Sequence, residues 1–129
     1  MKYLKHYWKD YHSGEWCTTS NPVEKRHPEA EYDGLDVQVW MHDPDGIDVC
    51  LARVPDTTAI STIAVGSKNA VQELTETEFN SVWTPLQASS TARQEAQEAE
   101  RDGDTDTAAT KNALADTKYA EATAALHAL

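Results

Sequence analysis

The sequence predicts an α+β chain: a small antiparallel β module, then a short helix, then an Ala-rich helical hairpin at the C-terminal end. Three observations predict it. Residues 36–54 alternate apolar and polar side chains about an Asp43-Pro44-Asp45-Gly46 turn. Thr75-x-x-Glu78 is a capping-box signature where the period of the pattern changes. From Pro85 onward Ala, Glu, Gln and Thr dominate, broken only at Asp102-Gly103-Asp104. With 129 residues the chain is expected to form one β domain over 1–70 and one helical segment over 71–129.

The first strand is expected at Tyr3–Lys9, where aromatic residues are dense. Tyr3, Lys5, Tyr7 and Lys9 share one face, and Leu4, His6 and Trp8 the other. Residues 18–34, with Pro22, Pro28 and Gly34, read as loop. Asp36–His42 is the clearest strand, with Val37, Val39 and Met41 on one side. Pro44 presets φ in the turn and Gly46 accepts a left-handed position, so Ile47–Val54 returns as the second arm of a β-hairpin. Val37, Val39, Met41, Ile47, Val49 and Leu51 form the expected β core. Ala59–Gly66 is β-branched and is expected to be a further strand. Leu74 before the Thr75 cap is placed to staple onto Phe79, opening a helix from about Glu76 to Trp83. Pro85 is expected to stop that helix, or to start the next one with Thr84 as cap.

Ala88, Ala92, Ala96 and Ala99 recur at helical spacing in the first arm of the hairpin. In the second arm Ala108, Asn112, Ala115, Tyr119, Ala122, Leu126 and Leu129 alternate spacings of four and three, a heptad-type seam. Alanine buries little area, and an isolated helix of this length is marginal in water. The tail therefore needs a partner: its own β module, or the tails of other copies, for which Ala115, Tyr119, Ala122, Leu126 and Leu129 are the candidate oligomer seam.

Net charge is −11, unevenly spread. Residues 1–28 hold five basic and three acidic side chains, a net of +2, and the rest hold six against 19, a net of −13. Such acidity argues against nucleic-acid partners and against an anionic membrane surface. No run of about 18 apolar residues exists to span a bilayer, and Met1–His6 lacks the apolar core of a secretory signal. Tyr7, Trp8, Tyr11 and Trp16 make a basic, aromatic arm, read as the candidate partner-binding surface. The same aromatics also suit the core of a β module with one phenylalanine, or contact with a carbohydrate.

Cys17 and Cys50 form no CxxC pair. Reduced thiols are the default without a secretion signal, although spacing leaves a Cys17–Cys50 bridge open. His6, His12 and Cys17 match no structural zinc spacing. Asp102, Asp104 and Asp106 suggest a calcium loop, but Thr107 stands where that loop needs glycine and Ala113 where it needs an acid. The chain carries no G-x-S-x-G, P-loop or G-x-G-x-x-G. The expectation is therefore no catalytic residues, no cofactor and no metal.

Three stretches add a resemblance: Asp45-Gly46-Ile47-Asp48-Val49-Cys50-Leu51-Ala52 with Val54-Pro55-Asp56-Thr57-Thr58; Leu74-Thr75-Glu76-Thr77-Glu78-Phe79-Asn80; and Arg101–Ala108 leading to Lys118-Tyr119-Ala120-Glu121-Ala122. Over residues 36–129 the chain resembles small accessory structural proteins of tailed bacteriophages. The resemblance implies a non-enzymatic virion component, assembled in the host cytoplasm, tail- or neck-associated or decorating the capsid. Its partners would be other virion proteins and copies of itself. The alternative is a soluble binding module that recognises a carbohydrate or protein through the N-terminal aromatics.

Overall fold

A computed structural model describes residues 1–7, 36–58 and 72–129 of the chain. Among these residues the order is β1 (Lys2–Tyr7), β2 (Val37–His42), β3 (Asp48–Val54), β4 (Gln72–Leu74), α1 (Glu76–Arg101) and α2 (Thr105–His127). The arrangement is α+β, as the sequence predicts. The chain divides into two compact units, Met1–Phe79 and Asn80–Leu129.

The first unit is an antiparallel sheet in the order β2-β3-β1-β4. Its register is set by the turn between β2 and β3. Gly46 takes φ 80° and its N–H donates to the Asp43 carbonyl at 2.9 Å. The Asp43 carboxylate accepts from the Asp45 and Ile47 amides at 2.9 and 2.8 Å, which ties the turn to its own first residue. Met41 thereby faces Val49, and Val39 faces Leu51. β1 then lies on the other side of β3, with Lys5 opposite Leu51 and His6 opposite Cys50.

β3 departs from simple alternation. Val49, Cys50, Leu51, Ala52 and Val54 are all buried, so both faces of this strand are covered. A strand covered on both faces has no solvated side to reserve for polar groups. Lys5 and His6, on opposite faces of β1, are buried as well.

β4 was not expected. Leu74 ends this strand, opposite Tyr3 of β1, and is buried as is Phe79. The sheet unit therefore runs past residue 70 to Phe79, whose ring lies 5.1 Å from that of Tyr3. The strand expected at Ala59–Gly66 lies outside the described residues, as do Lys9 and the loop 18–34.

The capping box forms as expected. The Thr75 hydroxyl accepts from the Glu78 amide at 3.1 Å, and the Glu78 carboxylate accepts from the Thr75 amide at 2.9 Å. The expected stop at Pro85 does not occur: α1 runs through it, 26 residues in all from Glu76 to Arg101. Proline removes one helical N–H and crowds the carbonyl four residues back. The helix persists because buried side chains hold it on both sides of Pro85: Phe79 and Val82 before it, Ser89, Ala92, Ala96 and Ala99 after it.

The second unit is a helical hairpin, also as predicted. Gly103, at φ 77°, ends α1; the Asp104 amide donates back to the Ala99 carbonyl and the Gly103 amide to the Glu100 carbonyl. Asp104 then caps α2, accepting from the Thr107 amide at 3.1 Å and the Thr107 hydroxyl at 2.7 Å. These bonds hold the Asp104 carboxyl below the ordinary carboxylate range.

Candidate functional site

The hairpin is held by small residues and cross-helix polar bonds. Ser89 Oγ donates to the Ala115 carbonyl at 2.8 Å, a buried bond that only closely spaced helices allow. Arg93 forks across to Asn112 Oδ1 and Asp116 Oδ1, both at 2.8 Å. Lys111 pairs with Glu95 at 2.7 Å. The inward line of α2 is Ala108, Ala115 and Ala122, one residue every seven, joined by Leu126.

This placement revises the expected seam. Ala115, Ala122 and Leu126 are buried within a single chain, so they offer no surface to a second copy without the hairpin opening. Tyr119 is 47% exposed and Leu129 half-buried. Asn112 stands at the margin, where it accepts from Arg93. On α1 the buried position is Ser89, while Ala88 is half-exposed. One step along a helix turns the side chain by about 100°, and the hydroxyl of Ser89 is satisfied by the Ala115 carbonyl of the facing helix.

The hairpin thus buries mostly small residues, with Val82 and Leu126, and leaves other large apolar ones exposed. Leu114 is 42% exposed and Leu86 half-buried. Two open grooves run beside the Leu86–Ser90–Gln94 ridge of α1. One is lined by Trp83, Gln87 and Thr91. The other lies toward α2 and is lined by Ser89, Arg93, Gln97 and Tyr119. Sequence reasoning missed this face because its residues are mostly polar; the signal available was the charge-free run from Asn80 to Ala92.

In the sheet, Trp40, Cys50 and His6 form a cross-strand row on one face. The Trp40 and His6 rings meet edge to face at 6.3 Å, and Trp40 is 40% exposed. Cys50 carries a free, buried thiol; burial pushes its pKa up to about 12, against a smaller opposite effect of the Gln38 amide 3.7 Å away. This thiol is a packing group, not a nucleophile. His42 Nδ1 meets Asp48 at 2.9 Å.

Of the expected arm, Tyr7 closes β1 opposite Val49. Trp8, Tyr11 and Trp16 lie outside the described residues, as do His12 and Cys17. Among the described residues no helix is long and apolar enough to cross a membrane. No protein-family model, characterised protein or solved structure matches the chain.

Proposed function

We propose that the chain is a non-enzymatic structural component of a tailed-phage particle, associated with tail or neck or decorating the capsid, and present in repeated copies. One observation carries the reading: the hairpin packs mainly through alanines and leaves two large apolar side chains, Leu114 and Tyr119, exposed. Exposed aromatic and aliphatic groups beside hydroxyls and amides are the composition of a protein interface. The residue likeness over 36–129 adds the virion context.

The experiment is quantitative mass spectrometry of purified particles from cells that encode the chain. Several copies per particle, at a fixed ratio to the major structural protein, are expected. Absence from washed particles overturns the reading.

A further inference from the structure

We draw no further inference here: the strongest candidate, the open face of α1 lined by Trp83, Leu86, Ser90 and Gln94, carries nothing because nothing in the structure shows what covers it.

Discussion

The sheet and the hairpin bury their interiors by opposite means. β3 carries Val49, Leu51 and Val54 into a core covered on both faces, and the sheet depends on the volume of a few large side chains. The hairpin buries Ala92, Ala96, Ala99, Ala108, Ala115 and Ala122, and depends on how close two backbones come. The two units should therefore fail under opposite substitutions, the sheet when a side chain is shortened and the hairpin when one is lengthened.

Leu51→Ala is the largest expected effect. Leu51 is 1% exposed and paired to both Lys5 and Val39. Truncation removes the transfer free energy and leaves a cavity, together about 3 kcal/mol. Urea unfolding gives the loss. Hydrogen exchange then shows whether protection of the hairpin amides falls with that of the sheet; if it does, the two units unfold together and the contrast is one of packing only.

Ala115→Leu is the converse. Ala115 is fully buried and its carbonyl accepts the Ser89 hydroxyl. Three added heavy atoms cannot fit between helices this close, so the cost is about 2 kcal/mol. The Arg93 and Lys111 bonds across the hairpin should weaken with it. Unchanged stability would show that the helices have room, and would remove close approach as the basis of the hairpin.

The two units were also legible in the sequence to different degrees. Residues with local chemistry gave firm expectations: Pro44 and Gly46 for the turn, Thr75 and Glu78 for the cap, Gly103 for the break. Each acts within a few residues of itself, so spacing alone reveals it. β4 was hidden because Gln72-Glu73-Leu74 is too short to show a period and is a strand only through its pairing with β1. The continuation of α1 through Pro85 was hidden for a similar reason: local preference opposed it, and burial on both sides of the proline outweighed that preference. The inward position of Ser89 depends on a carbonyl 26 residues away. The outward polar face of α1 left only a negative trace, the absence of charges over 80–92.

The pH dependence sharpens the contrast, since Cys50 belongs to the sheet alone. Its pKa rises from 9.0 to about 12 on folding, so the folded state favours the neutral thiol. That contribution is complete below pH 9 and is lost as pH rises from 9 toward 12, by up to about 1.4 kcal/mol per pH unit. Lys5 runs the other way: burial lowers its pKa, with Asp43 opposing, so folding disfavours the charged amine and the cost fades as pH climbs to 10.5. The difference between the native chain and Cys50→Ala cancels the lysine. Urea midpoints at pH 8, 9.5 and 11 should converge for the two proteins, and parallel curves would show that the thiol ionises freely in the fold.

The smallest effect belongs to the hairpin's polar clasp. Arg93 bridges to Asn112 and Asp116, yet it is 45% exposed and Asp116 74% exposed, so water screens the pair. A double-mutant cycle of Arg93→Ala and Asp116→Ala should give a coupling of about 0.5 kcal/mol, falling further in 1 M salt. Close packing of alanines holds the hairpin, and the clasp only sets its register. A coupling several times larger would reverse that order, and Ala115→Leu would then act by breaking the clasp and not by forcing the backbones apart.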